Sequence, residues 1–379
     1  MTLIYRSLPL RAPVSRVRGR KLAQAAVLAL GLGGCPATAW GQNAAALDPA
    51  LVALTGTWSE AQGKKVADYL RSQVQPMLSG EEAVIERSRE AILAPFGTAG
   101  VSEPFVRQYA RAIARELAPG TQAEPVQVRV NAMILAGRLP DASAMDPVAA
   151  GLQDENAGVR YLAAVALNGL LARELVADEQ LGRVMQLVDR QLADENSSYV
   201  AAPMFKAMLD TGAFDPLLAS LNNRVGWHVG RAQVGFGPEA DALRGLYARL
   251  FGGEGTAEQV KQLGRASVRY LRLAAQQLEA GNVSDTESHI EIIRVGQTAL
   301  TFIRERVKSA EPTPPDVVAP ISQERWGDIV KIADRWADLL VAPPVGLAPA
   351  DLEINIAPPA ADPAAPPAAA PEPVAAEAG

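Results

Sequence analysis

Residues 146–167 read DPVAAGLQDENAGVRYLAAVAL, and the centre of this stretch, Leu152-Gln153-Asp154-Glu155-Asn156, returns 40 positions later as Leu192-Ala193-Asp194-Glu195-Asn196. Upstream, Val128-Arg129-Val130-Asn131-Ala132 precedes its counterpart Val159-Arg160-Tyr161-Leu162-Ala163 by 31 positions. A recurrence of about 30–45 residues in a helical chain signals stacked helix pairs. One such pair cannot cover its own apolar face, so its neighbours must do so.

The flanking sequence is helical throughout. Apolar residues recur at helical spacing, as in Val260, Leu263, Val268, Leu271 and Leu278, and no period-2 alternation marks a strand. Asp48-Pro49 reads as a helix N-cap followed by proline at the first helical position. Ser79–Glu82, Thr256–Gln259 and Ser284–Glu287 read as capping boxes. The expected fold class is all-α.

Over roughly residues 120–215 the chain resembles the HEAT-repeat family, on Asp146-Pro147-Val148, Leu152, Asp154, Val159-Arg160, Ala163-Ala164 and Ala166-Leu167. The resemblance implies a solenoid with Asp154 in the turn between two helices and Val159-Arg160 opening the second. It also implies that Asp154 and Arg160 belong to a ladder linking successive turns, with Leu152, Val159, Ala163, Leu192 and Asp194 as further structural positions. The other copies are degenerate. Ala123 stands where the upstream aspartate would be; downstream, Val200 takes the arginine position and Pro203 the place of Ala163.

The expected organisation is a helical-repeat region over 48–221, preceded by a short linker at 40–47. A glycine-rich irregular connection follows over 222–255, where Gly226, Gly230, Gly235 and Gly237 interleave with Trp227, His228 and Phe236. Longer helices occupy 256–340. Pro and Ala dominate 341–379, a composition that reads as a disordered tail.

Residues 1–39 read as a signal peptide. The basic cluster Arg16–Lys21 precedes the apolar run Leu22–Gly34, whose helix would span on the order of 20 Å, short of a bilayer's hydrocarbon core. Two processing routes stay open. Leu32-Gly33-Gly34-Cys35 resembles a bacterial lipobox, which would lipidate the chain's one cysteine; Ala37-Thr38-Ala39 would instead direct cleavage before Trp40. Either way the expected location is the periplasm or cell envelope, with membrane attachment only through that lipid anchor.

Composition narrows the function classes. The formal charge of −6 becomes −12 once the six basic residues of the N-terminal segment are set aside, and an acidic body argues against nucleic acid as partner. A single cysteine rules out an intrachain disulfide. No nucleophile-elbow, zincin, P-loop or dinucleotide motif occurs in a suitable context, and no cofactor is implied. His228 among its glycines is the one candidate acid–base group, and His289, near Glu287 and Glu291, reads as a surface residue. The expectation is therefore a binding or scaffold protein whose partner is another protein. The alternatives are an enzyme or accessory subunit with a site near 222–255, or a structural envelope spacer.

Overall fold

The computed structural model describes residues 47–78, 81–281 and 283–354. Cys35, the signal segment, the Ser79 capping box and residues 355–379 lie outside the described residues. Those described form sixteen α-helices and no strand, so the fold is all-α. In chain order they are α1 (Pro49–Val52), α2 (Glu60–Met77), α3 (Glu82–Leu93), α4 (Glu103–Thr121), α5 (Val126–Arg138) and α6 (Met145–Leu152). Then come α7 (Ala157–Ala172), α8 (Asp178–Asp194), α9 (Ser198–Asp210), α10 (Phe214–His228) and α11 (Gly237–Arg249). The chain closes with α12 (Ala257–Ala280), α13 (Thr286–Val307), α14 (Val318–Ser322), α15 (Trp326–Val341) and α16 (Pro349–Leu352).

The helices pack in two rows. α2, α4, α6, α8, α10 and α12 follow one another in the first, with α15 against α12. α3, α5, α7, α9, α11 and α13 make the second. The arrangement is compatible with a solenoid of helix pairs. One apolar core runs between the rows from Leu51 to Leu352. Each helix supplies a stripe at helical spacing, as α7 does with Val159, Ala163, Ala166, Leu167 and Leu170.

Local signals set the boundaries. Asp48 caps α1 through its own carboxylate, and Thr256 with Gln259 forms the expected box on α12. The box expected at Ser284–Glu287 does not form. The cap is Asp285, which accepts from Ser288 N at 3.0 Å, while Ser284 donates to Gln233 O at 2.6 Å. α13 thus begins one residue later, with Ser288 where the box needs an acid.

The chain also departs from the expected organisation in two places. Residues 222–255 are largely helical: α10 runs to His228 and α11 starts at Gly237, leaving 229–236 and the π-turn around 250–254 as the irregular pieces. Gly230 and Gly253 hold left-handed backbone in these pieces, at φ of 75° and 90°, whereas Gly226 and Gly237 belong to helices. The segment expected to be disordered from 341 is ordered over its described part, residues 341–354. Val345, Leu347 and Leu352 are buried, and Arg265 and Arg272 donate to the carbonyls of Asp351 and Leu352 at 2.9 and 3.0 Å. α12 and α13 extend the two rows rather than forming a body apart.

α12 and α13 approach backbone to backbone at Gly296, where a Cβ would sit 3.0 Å from the Ser267 carbonyl oxygen. Gly296→Val should lower stability by roughly 1–3 kcal/mol through overpacking against rigid backbone. Gly182→Ala, at an open position in α8, should raise it by roughly 0.5–1 kcal/mol. Denaturant unfolding of the two variants checks both signs.

Candidate functional site

The turn motif that marks the repeat builds a continuous polar seam. Arg129, on α5, reaches Asp154 with Nε at 2.7 Å and Nη2 at 3.2 Å. Its Nη1 donates to the carbonyls of Ala123 and Glu124, both at 2.9 Å. Arg160, on α7, repeats the arrangement: Nε and Nη2 grip Glu195 at 2.7 and 2.9 Å, and Nη1 holds the carbonyls of Asp154 and Glu155, both at 2.8 Å. The third rung comes from α10. Arg224 Nη1 donates to the carbonyls of Leu192 and Glu195, and its Nε reaches Glu239 Oε1 at 2.6 Å. Each arginine therefore closes the turn behind it and holds an acid ahead of it.

The acids have a second task. Asp154 accepts from Asn156 N at 2.8 Å and Glu195 from Ser197 N at 2.9 Å, so each also fixes the entry to the next helix. Leu152, Val159, Ala163 and Leu192 have no solvent exposure and are core residues. Asp194 is not a rung: it is exposed, and Glu195 takes the place expected for it. The equivalence between these turns is 41 residues, not 40. Ser197 holds the N-cap position of α9 as Asn156 does that of α7, although only Asn156 caps with its side chain, and Val200 matches Val159. The identical Asp-Glu pairs hide this one-residue slip.

The seam ends in a buried cluster. Glu239 Oε1 lies 3.1 Å from His228 Nε2 as well as against Arg224, and all three residues are within 2% of full burial. Burial alone would raise the Glu239 pKa. The His228 hydrogen bond and the charges of His228 and Arg224 outweigh it and bring the carboxyl to about 2. Gln277 Nε2 donates to His228 O at 2.9 Å, and its oxygen faces His289 Nε2 at 3.0 Å. His289 is thus a core residue, not the surface residue expected, and burial pushes its pKa down. The Phe236 ring packs between the two histidines, at 4.2 Å from His228 and 4.8 Å from His289. The His228 ring has no solvent exposure and is packed by Trp227, Phe236 and Tyr270.

Surface chemistry concentrates elsewhere, in the second row. A groove of about 750 Å³ lies over α7, α9 and the start of α11. Tyr161 and Val165, one turn apart on α7, are 41% and 43% exposed, and Tyr199 on α9 is 80% exposed. Pro203 and the buried Pro238 also line the groove. The helices come close because α11 presents Gly245 to Leu209 of α9, where any Cβ would collide. Lys206 and Asp210 pair with each other at the rim, so the groove's own charge is largely balanced. These groove residues escaped the motif reading. Their signal is a helical-wheel mismatch: Tyr161 and Val165 stand at i and i+4, off the buried stripe of α7.

Among the described residues, no group of three or more His, Cys, Asp or Glu is placed to hold a metal, and no helix is long and apolar enough to cross a membrane. No family model, curated protein or solved structure matches the chain.

Two substitutions test the seam. Arg160→Ala strands the almost fully buried Glu195 and should cost about 3–5 kcal/mol in denaturant unfolding. Glu239→Gln should be comparably costly by leaving Arg224 buried and unpaired. Because the Glu239 pKa is depressed in the fold, its contribution is complete above the ordinary carboxyl value of 4.5 and is lost as pH falls toward 2. Wild-type stability should therefore drop more steeply than that of Glu239→Gln across this window.

Proposed function

We propose that the chain is an exported helical-repeat binding or scaffold protein of the bacterial cell envelope, and that the groove over α7, α9 and α11 receives a protein partner. One observation carries the reading. Three of the five large apolar residues that are exposed among those described gather on this groove, Tyr161, Val165 and Tyr199. Isolated exposed apolar residues are ordinary, but a contiguous patch with a polar rim marks an interaction site. Tyrosine suits the role, since its ring offers large contact area at low entropic cost and its hydroxyl remains hydrogen-bonded at the rim.

Stacked helix pairs present such surfaces generally. Export rests on the basic and apolar segments of residues 1–39. The mass of the mature N-terminus separates an acylated Cys35 from a chain starting at Trp40. No catalytic role is assigned to His228, whose ring is enclosed by Trp227, Phe236 and Tyr270.

A photo-crosslinking amino acid placed at Tyr199 in the native envelope should trap a discrete partner. The same group at Gln186, exposed on α8 in the other row, should not. Tyr161→Ser with Val165→Ser should reduce the adduct at least about fivefold without changing the melting temperature, since both side chains are substantially exposed. Identical adducts from both positions, or none from Tyr199, would sink the reading.

A further inference from the structure

A second groove, of about 530 Å³, lies between α10 and α12 in the first row. Hydrogen bonds across its floor pair the starts of the two helices and then their later turns. Gln259 Nε2 donates to Asp215 Oδ1 at 2.8 Å, Asn222 Nδ2 to Gln262 O at 3.3 Å, and Arg269 Nη1 to Asn222 O at 3.1 Å. Along α12, Glu258, Gln262, Arg265 and Arg269 succeed one another at spacings of four, three and four, which places them in one stripe beside α10.

The two ends of this groove carry opposite charges, two carboxylates at one and two guanidinium groups at the other. At the first end, the contacts of Asp215 and Glu258 are with the neutral carboxamides of Gln259 and Gln262, each at 2.8 Å. At the other, Arg269 makes no ion pair with any described residue. Its one hydrogen bond goes to the Asn222 carbonyl, and its Nε is buried without a partner. The neighbouring Arg265 spends its Nε on the Asp351 carbonyl, and its nearest carboxylate oxygen, on Asp351, is 3.8 Å away. Burial first, and then the charge of Arg265, push the Arg269 pKa down, against weaker opposing pulls from Tyr270 and Asp351. The eleven residues from Glu258 to Arg269 separate the charges by about 16 Å along the helix, too far for them to pair.

We infer that this groove binds the C-terminal end of a peptide chain, its carboxylate held by Arg269 and Arg265 and a cationic side chain about four residues upstream set against Asp215 and Glu258. Arginine is suited to a planar carboxylate, which it meets with two parallel hydrogen bonds. A single negative charge matches the site better than a phosphate dianion, because the same groove carries two carboxylates. An extended chain rises about 3.3 Å per residue, so the separation of the two charged ends corresponds to about five residues. The polar floor, with Asn222, Asn223 and Gln262, faces the peptide backbone rather than apolar side chains. This site is distinct from the aromatic groove, which lies on helices of the other row.

The test is titration calorimetry of the full chain with the N-acetylated pentapeptide KAAAA. The free acid should bind. Its C-terminal amide and the acetylated peptide EAAAA should each bind at least about tenfold more weakly. Arg269→Gln should reproduce the loss seen with the amide while lowering the melting temperature by no more than a few degrees, because Arg269 has no ion pair to lose and only one hydrogen bond, to the Asn222 carbonyl. Acetate and free alanine distinguish the source of the carboxylate: binding as tight as that of KAAAA would show a small-carboxylate site and overturn the peptide assignment. Equal affinity for acid and amide, unchanged affinity in Arg269→Gln, or no heat at millimolar peptide would also overturn it. A failure here is separable from failure of the proposed partner groove, since Arg269→Gln should leave the Tyr199 adduct intact.

Discussion

Everything in this structure depends on how one turn is tied to the next. A pair of helices leaves an apolar face open and a set of carbonyls unsatisfied at the turn that joins its members. The arginines at 129, 160 and 224 address both problems with one side chain. Each donates to two carbonyls of the turn behind it and holds the carboxylate ahead of it, so that an unbroken polar seam runs from Ala123 to Glu239. Only a guanidinium can do this, because it presents five donors in a rigid fork. A lysine would satisfy one partner and leave the carbonyls to water.

Such a seam is valuable for register more than for net stability. Burying ion pairs costs much of what their attraction returns, and an apolar seam of the same volume would often hold as well. What an apolar seam lacks is a penalty for misalignment. If one pair slid by a single helical residue, Arg160 would lose Glu195 and both turn carbonyls, leaving several buried groups unsatisfied at once. The seam therefore discriminates against wrong stacking in a body whose core stripes, rich in Ala, Leu, Val and Met, would tolerate it.

The legibility of the chain follows from the same division. Helical class, the turn at Asp154 and the core stripe of α7 could be read because periodicity and local capping lie within a few residues of one another. The third rung could not. Its arginine moves from the second helix of a pair to α10 and its acid to α11, so no fixed spacing relates Arg224 to Glu239 or either to Arg160. The slip from Asp194 to Glu195 was hidden because both positions are acidic and only the following cap, Ser197, distinguishes them. Glycines 226–237 suggested an open loop. In fact Gly235 is small because Asp285 and Ser288 crowd it, and Gly237 sits at the start of a helix before Pro238. The exposed tyrosines carried a readable signal, apolar residues on the wrong face of a helix, but such a signal acquires meaning only when neighbouring helices bring several together.

The position of Tyr199 connects surface to seam. It follows Glu195 by four residues and comes two residues after the Ser197 amide that Glu195 holds. The backbone entering α9 is thus fixed by the same carboxylate that Arg160 grips from α7, the helix that carries Tyr161 and Val165. Two of the three helices that form the aromatic groove are referenced to one buried ion pair. Loosening that pair would let α7 and α9 shift against each other and widen the groove. A partner gripping both helices would in turn restrain the α7–α9 spacing on which the pair depends. In a stack where each unit touches only its neighbours, stability passes from pair to pair through such interfaces. A molecule seated in the groove would therefore stabilise the stack locally, between the second and third rungs, through the same contacts that set the fold.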